Sequence, residues 1–424
     1  MPRAITFDVI HSTLNKNRSF DDAFNHYSRL KKRQPRDLNL AYNISITTLR
    51  RLGQIDNIIY KCLKKDLPKK GEYARTILRI GICQLLFLST PAHAAVDTSV
   101  KLAMQKKQEI YKKLINAILR RVAQEGPKLI ENQDVEKLNT PDWLWNSWIK
   151  EYGENTTRKI ARAHLKMPAL DLRVKSEPKL WAQKLGGNLL STGSIRLLSS
   201  TKINCLDGFK DGAWWVQDAA AALPVRLLRI CRGQTVIDLC AAPGGKAFQT
   251  LSLNNNVTLN DISLKRSNIL RANLERLNFS NEIKNYNALN MLEEEKFDVV
   301  ILDSPCSGVG TLRRNPEILF KKNPPDIGFL TKVQKNLINK AAKLLNKNGV
   351  LIYMVCSFFY DETKDIKNTF LNENKNFSQY KFNLNTGSKF KKFLDNEGDI
   401  FCTPSKHGGY MVDGFYSVKF IKND

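Results

Sequence analysis

With 424 residues, of which 42% are hydrophobic, the chain has enough apolar side chains for several folded domains, which argues against a mainly disordered protein. Its 67 lysines and arginines against 41 acidic residues give a formal charge of +26, which favours nucleic acid as a partner over a merely solubilising basic surface. The eight cysteines form no CxxC pair and no apolar run is long enough to span a bilayer, so we expect a cytoplasmic monomer that uses neither a metal nor a membrane.

The first 127 residues follow helical patterns without an alternating strand pattern, which predicts an all-α bundle. ILRIGICQLLFL (77–88) is apolar around most of its circumference, as expected of a central buried helix. Gly126-Pro127 predicts the end of the helix that contains YKKLINAILRRVAQ. Residues 128–213, with glycine and serine turns from about 170, favour a small α+β connector that also serves as an RNA-binding subdomain.

From residue 214 to residue 424 the pattern changes to strand, loop and helix. The β-branched runs TVIDLC, VTLND, FDVVILD and VLIYMVCS alternate with helical segments such as LKRSNILRANLERLN. This alternation predicts a parallel, Rossmann-like α/β domain, in which ligands bind at the carboxyl ends of the strands.

The segment TVIDLCAAPGGKA runs from a predicted strand through a glycine turn into a helix that Lys246 opens. Its small side chains let a ligand lie against the backbone near the helix N-terminus. The spacing differs from GxxxxGK[ST], which argues against ATP. Asp261 follows the next strand, 23 residues after Asp238, at about the offset where an acidic residue binds a ribose. The alternative for Asp261 is a helix N-cap before SLKRSN.

Two cysteines follow successive predicted strands: Cys306 comes after Asp303, and Cys356 comes after YMV. Such cysteines usually only pack in the core, but neighbouring strands would bring both thiols to one edge of the sheet. A thiolate that adds to C6 of a pyrimidine makes C5 nucleophilic enough to accept a methyl group. Asp303, at the N3/N4 edge of a cytosine, would offset the charge that develops on the ring.

The domain from about 214 to 424 resembles the RNA 5-methylcytosine methyltransferases that use S-adenosylmethionine, in the segments WWVQDAAAALP, DLCAAPGGK, DSPCSGVGTLRRNPE, YMVCS and DGFYSVKF. Residues 38–122, especially RIGICQLLFLSTPAHAAV and INAILRR, are similar to a NusB-like RNA-binding domain. The resemblance covers nearly the whole chain. It implies methyl transfer from S-adenosylmethionine to C5 of one cytosine in 16S ribosomal RNA, through a covalent cysteine–C6 adduct.

The resemblance also implies roles for single residues. Cys356 would be the nucleophile and Cys306 would assist product release, with Asp303 and Lys246 completing the catalytic set. The residues placed around the cofactor are Cys240, Ala241, Ala242, Pro243, Gly244, Gly245, Lys246, Asp261, Asn287 and Asp303. Asn287 stands where the family usually has an aspartate near the adenine. Pro305-Cys306 also resembles the Pro-Cys nucleophile of DNA cytosine methyltransferases, so the residues alone leave the division between the two thiols open.

Arg313 and Arg314 are candidates for gripping phosphates beside a flipped cytosine, the alternative being a solvated loop. Two other functions remain open at this point. An amino-group methyltransferase would read [DN]PP[YF] where this chain reads DSPC. A non-catalytic RNA-binding or antitermination module would leave the coincidence of glycine turn, Asp303 and two cysteines unexplained.

Overall fold

The computed structural model describes residues 2–30, 34–63, 65–198, 203–228, 230–253, 256–382, 390–407 and 409–423. The chain divides into two compact units, Met1–Lys166 with Leu312–Lys322 and Met167–Thr311 with Asn323–Asp424. The finer division into three domains at residues 127 and 213 stays a prediction. None of the described helices has both the length and the apolar character needed to cross a bilayer.

The first unit is helical, as its sequence pattern predicts. Its described helices are Pro2–Asn15, Phe20–Arg29, Pro35–Arg50, Leu52–Cys62, Glu72–Leu86, Ala92–Gln105, Lys112–Glu131, Val135–Leu138, Asp142–His164 and Ile318–Lys321, with 3₁₀ turns at Lys69–Gly71 and Glu109–Tyr111. The helix Glu72–Leu86 buries Ile77, Leu78, Ile80 and Ile82 completely and forms the centre of the bundle, because apolar side chains surround most of its circumference.

The predicted helix end at Gly126-Pro127 is wrong, because the helix Lys112–Glu131 continues through both residues. Proline removes one backbone donor from the helix, but Leu129 and Ile130 pack against the bundle core beyond it and offset that loss. Gly126 has a packing role instead of a stop role, since an added Cβ would lie 2.4 Å from Leu86 Cδ2.

The second unit contains a small antiparallel sheet of β1 (Leu170–Val174), β2 (Asn188–Leu189), β3 (Ile195–Leu197) and β4 (Trp214–Val216), in the order β2-β3-β1-β4. A buried ion pair joins β1 to β3: Nε and Nη2 of Arg196 each lie 2.7 Å from an Asp171 carboxylate oxygen. Asp171 also accepts a hydrogen bond from the Ala219 amide at 3.1 Å. This carboxylate therefore ties the small sheet to the chain that leads into the larger one.

The larger sheet has eight described strands, which are β5 (Val236–Asp238), β6 (Val257–Asn260), β7 (Ile283–Lys284), β8 (Phe297–Asp303), β9 (Leu345–Val355), β10 (Phe377–Gln379), β11 (Ile400–Cys402) and β14 (Phe415–Lys422). The order is β10-β14-β9-β8-β5-β6-β7, with β11 also paired to β14, and the strands β5 to β9 are parallel. The hairpin of β12 (Lys406–His407) and β13 (Tyr410–Met411) lies apart from it.

The remaining helices of this unit are Pro178–Lys184, Leu223–Leu228, Gly245–Leu251, Leu264–Arg276, Pro324–Lys343 and Lys364–Glu373, with 3₁₀ turns at Ile203–Cys205, Ala288–Asn290, Val309–Thr311, Tyr360–Glu362 and Lys391–Phe393. The predicted α/β architecture is confirmed. The register pairs Asp238 with Ile301 and Asp303 with Met354, so the ends of β5, β8 and β9 meet at one edge of the sheet.

Candidate active site

The glycine turn between β5 and the helix Gly245–Leu251 has a buried carboxyl at its base. Asp238 Oδ1 accepts a hydrogen bond from the Cys240 amide at 3.3 Å, while Oδ2 is buried and has no partner among the described residues. Burial, together with the nearby Asp303 carboxylate, raises the pKa of Asp238 to about 7. A buried oxygen without a partner suits a cationic or hydrogen-donating ligand group in the turn.

Asp261 follows β6 and forms hydrogen bonds that hold the glycine turn in place. Its carboxylate accepts hydrogen bonds from the Ala242 amide at 3.1 Å and from the Ser263 amide at 2.9 Å. The N-cap of the helix Leu264–Arg276 is Ser263, so the alternative N-cap role does not fall to Asp261. Its buried carboxylate keeps free lone pairs for the ribose hydroxyls that the sequence predicts there.

Lys246 and Asp303 form an ion pair at this edge of the sheet, with Nζ 2.6 Å from Oδ2. The ammonium group also lies over the Phe415 ring, 5.1 Å from its centroid. Burial lowers the pKa of Lys246, but the Asp303 carboxylate outweighs it and the net change is upward. Lys246 therefore stays a cation, and Asp303 stays partly exposed, with 31% of its side chain accessible.

The two predicted thiols are brought together by the pairing of β8 with β9. Cys306 Sγ and Cys356 Sγ lie 3.2 Å apart across 50 residues of sequence. The hydrogen bond with Cys356, together with burial, raises the pKa of Cys306 well above its usual value. Cys306 consequently keeps its proton and can donate it in a hydrogen bond to the sulfur of Cys356.

A buried glutamate that the sequence analysis missed holds the Cys306 loop. Glu362, fully buried, accepts hydrogen bonds from the Ser307 amide at 2.8 Å, the Ser307 hydroxyl at 2.5 Å and Gln334 Nε2 at 3.0 Å. Gln334 Nε2 also donates to the Pro305 carbonyl at 2.9 Å, and Ser307 and Ser357 hydroxyls lie 3.3 Å apart. This network ties the loop after β8 to the loop after β9 and so fixes both thiols.

Two glycines bring a third loop against the cysteines. The Gly310 amide donates to the Cys356 carbonyl at 3.0 Å, and the Gly414 amide donates to the Gly310 carbonyl at 2.8 Å. A Cβ on Gly310 would lie 1.9 Å from the Gly414 carbonyl oxygen, so only glycine allows this approach. Both lie in segments that carry the family resemblance, although the spacing of the sequence gives no sign that they touch.

Asn287, Arg313 and Arg314 are also predicted from the sequence to contact the cofactor or the RNA. Asn287 is exposed and its side-chain oxygen accepts from the Leu289 amide, which caps the 3₁₀ turn Ala288–Asn290. Arg313 and Arg314 belong to the helical unit, where Arg313 is 2% exposed and its carbonyl accepts from Arg50 Nη2 at 2.8 Å. Contact of this arginine pair with RNA stays a prediction, and Arg314 is the more accessible of the two.

The site combines a Rossmann-like domain with a glycine turn, a strand-end carboxylate and paired thiols. This combination is typical of a methyltransferase active site. Comparison with known proteins identifies the family. Residues 225–421 match the family described as 16S rRNA methyltransferase RsmB/F, and residues 1–124 match the NusB family. The chain belongs to this rRNA methyltransferase family, and its predicted NusB-like domain and dependence on S-adenosylmethionine are confirmed.

Relatives cover almost the whole chain. Ribosomal RNA small subunit methyltransferase B of Photorhabdus laumondii is 30% identical, over 99% of this chain and 98% of its own. The Shewanella oneidensis protein of the same name is 29% identical, over 98% and 97%. Among solved structures, PH0851 superposes with a TM-score of 0.78 at 20% identity, covering 100% of this chain and 99% of its own. NSun6 from Pyrococcus horikoshii, solved with SFG, gives 0.56 at 19% identity, covering 67% and 98%.

The residues around the glycine turn fit S-adenosylmethionine. The small side chains from Ala241 to Gly245 leave the backbone open at the helix N-terminus, and the buried oxygen of Asp238 lacks a partner among the described residues. Asp261, which follows the neighbouring strand β6, carries the carboxylate that the sequence predicts for the ribose diol. This set matches a ligand that carries an ammonium group and a ribose.

Proposed function

We propose that this protein methylates C5 of a cytosine in 16S ribosomal RNA and that Cys356 forms a transient covalent bond to C6 of the base. The single observation that carries the proposal is the 3.2 Å separation of Cys306 and Cys356 beside the Lys246–Asp303 pair. Transfer to an exocyclic amine needs no thiol, whereas transfer to C5 needs one to activate the ring. The +26 charge supports a polyanionic substrate.

The two thiols have different roles in the proposed reaction because they differ in protonation. Cys306 holds its proton, because its pKa is raised by the bond to Cys356 and by burial, so Cys356 is the better candidate for the attacking thiolate. When the sulfur of Cys356 bonds to C6, the electron pair of the C5–C6 double bond shifts to C5 and is shared with C4 and N3. C5 thereby becomes nucleophilic. Bound S-adenosylmethionine supplies the electrophilic methyl group.

Asp303 and Lys246 act on the polar edge of the base. In this proposal Asp303 contacts the N3/N4 edge of the cytosine, and the ammonium group of Lys246, which is hydrogen-bonded to Asp303, offsets negative charge that develops on the ring during thiolate addition. Once C5 carries the methyl group, the C5 proton passes to water, the electron pair of the C5–H bond re-forms the C5–C6 double bond, and the electron pair of the carbon–sulfur bond leaves with Cys356 as a thiolate. Cys306, in contact with the departing sulfur, assists this release.

The test is to incubate the protein with ribosomal RNA and S-adenosylmethionine carrying a labelled methyl group, and to digest the RNA to nucleosides. Label in 5-methylcytidine, at one position by bisulfite mapping, is the expected result. Label on an exocyclic amine would favour the amino-group methyltransferase, and binding of RNA without any label would favour the non-catalytic module.

A further inference from the structure

A cavity that is lined by both apolar and polar residues, and by neither thiol, lies in the second unit. It has a volume of about 510 Å³, and its lining includes Ser191, Gly193, Arg226 and Lys392. Ser191 and Gly193 belong to the turn between β2 and β3, Arg226 to the helix Leu223–Leu228, and Lys392 to a 3₁₀ turn. Three separate elements thus contribute polar groups to one concave surface.

Arg226, which lines this cavity, shares a single hydrogen-bond acceptor with Arg173, which lies beside it outside the lining. Arg173 Nη1 and Arg226 Nη1 donate to the same Thr192 carbonyl, at 3.2 Å and 2.5 Å. Within the described ranges neither arginine has a carboxylate partner, and Arg173 Nε is buried without any acceptor. Burial and the neighbouring Arg226 lower the pKa of Arg173 to about 10, as expected for two cations that no anion compensates.

The turn is shaped to admit both arginines. Gly193 has a φ of +78°, and an added Cβ would lie 1.8 Å from Arg226 Nη1 and 2.9 Å from Arg173 Nη1. Any side chain at this position would push the guanidinium groups off the Thr192 carbonyl. The glycine therefore allows two like charges to converge where ordinary surface arginines would separate.

The cavity is connected to the thiol site by a short stretch of chain. The Ser191 hydroxyl lies 2.8 Å from the Tyr410 hydroxyl, and Gly414, only four residues further on, hydrogen-bonds to the Gly310 carbonyl. Four residues span at most about 14 Å. The contact of Ser191 with Tyr410 at one end, and the contacts of Gly310 with Gly414 and Cys356 at the other, complete this path. An extended RNA strand with its target base at the thiols would cover it within several nucleotides.

We propose that this cavity binds a backbone phosphate of the substrate RNA near the target cytosine through Arg226 and Lys392, with Arg173 adding a second positive charge beside Arg226. A guanidinium group can donate two parallel hydrogen bonds to two oxygens of one phosphate. A lysine at the rim adds a positive charge on a flexible side chain. The phosphate would supply the negative charge that the described protein does not provide here. This inference rests on the proposed function, because it takes RNA to be the substrate.

The test compares Arg226→Gln and Lys392→Gln with the wild-type protein for RNA binding over a range of salt concentrations. Lys347→Gln is the matched control, because Lys347 is an exposed lysine near the amino end of β9, whereas Cys356 follows the carboxyl end, and it does not line the cavity. We expect Arg226→Gln to weaken RNA binding by about tenfold or more and to reduce the slope of log Kd against log salt by about one. Lys392→Gln should act in the same direction but less strongly, and the control should change neither quantity.

Further measurements separate this proposal from the others. At saturating RNA the variants should keep the wild-type kcat and the wild-type affinity for S-adenosylmethionine. Unchanged RNA affinity and salt slope in both variants would overturn the phosphate site, even if the wild-type protein methylates cytosine. A second result would also overturn binding of an RNA phosphate: inorganic phosphate stabilises the wild-type protein but not Arg226→Gln, while the two proteins bind RNA equally well. The cavity would then bind a free anion. Failure of methylation alone would overturn the proposed function and leave the binding comparison intact.

Discussion

Cys306 Sγ lies 3.2 Å from Cys356 Sγ, and the two residues come from loops that follow the paired strands β8 and β9. The thiols are thus near enough for one to influence the protonation of the other. The pKa of Cys306 is raised by the bond to Cys356 and by burial, so replacing one cysteine is expected to affect the reaction differently from replacing the other.

We predict that Cys356→Ala abolishes methyl transfer, because Cys306, the second thiol at the site, has a raised pKa and is the poorer nucleophile. Cys306→Ala should still transfer one methyl group per protein and then stall, because release of the base is slowed. Single-turnover measurements of labelled methyl incorporation distinguish these two outcomes. A Cys356→Ala protein that still completes a first turnover, with a Cys306→Ala protein that does not, would reverse the two assignments.

The ion pair of Lys246 with Asp303 gives a second prediction. Asp303→Asn keeps the size of the side chain but removes the charge that holds Lys246, so kcat should fall by about 100-fold or more while affinity for S-adenosylmethionine changes less. Asp298→Asn is the control, because Asp298 lies near the other end of β8 and its carboxylate accepts hydrogen bonds, within the described part of the chain, from Thr235 and Asn346. Equal loss of kcat in both variants would show that Asp303 acts only through stability.

Glu362 should be a positioning residue for the Cys306 loop. Glu362→Ala removes the acceptor of the buried Ser307 amide, at a cost of about 1–3 kcal/mol. The Ser307 hydroxyl keeps Ser357 as a partner, and Gln334 Nε2 keeps the Pro305 carbonyl. Glu362→Gln keeps the shape and removes a negative charge that raises the pKa of Cys306. In a Cys356→Ser background, alkylation of Cys306 by iodoacetamide should therefore shift to lower pH in Glu362→Gln. A purely structural role predicts no such shift.

Asp238 makes stability depend on pH. Its pKa is about 7 in the folded protein and about 3.8 when unfolded, so the folded state binds more protons between these values. The stabilisation is complete below about pH 4 and is lost as the pH rises to about 7, by up to about 1.4 kcal/mol per pH unit. Asp238→Asn removes this contribution. The difference in unfolding free energy between variant and wild type, from urea titrations, should favour the variant more at pH 8 than at pH 5; an equal difference would contradict the raised pKa.

The strands, the glycine turn and the meeting of the two thiols could be predicted because each rests on a local signal. β-branched runs in the sequence predict β5, β6, β8 and β9. Because ligands bind at the carboxyl ends of parallel strands, the sequence also predicts that Cys306 and Cys356 lie at the active site. Glu362 could not be predicted, since its bonds to Ser307 cross 55 residues and depend on how the loops pack. The convergence of Arg173 with Arg226 is equally a property of tertiary structure.

The helix Lys112–Glu131 shows the opposite case, in which a strong local signal misled. Gly126-Pro127 is a typical helix end, but the apolar residues beyond it gain more from packing than the proline costs. Burial of Arg313 has a similar origin, since a basic pair in a loop gives no indication that one member is enclosed by the helical unit.

The covalent bond between protein and base is tested most directly by trapping it. Cys306→Ala protein incubated with ribosomal RNA and S-adenosylmethionine, digested with nuclease and protease, should yield a nucleotide-bearing peptide that mass spectrometry maps to Cys356. The mass should include a methylated cytidine residue. If no such peptide forms in this variant, or if the nucleotide maps to a residue other than Cys356, attack by Cys356 on the pyrimidine ring is contradicted.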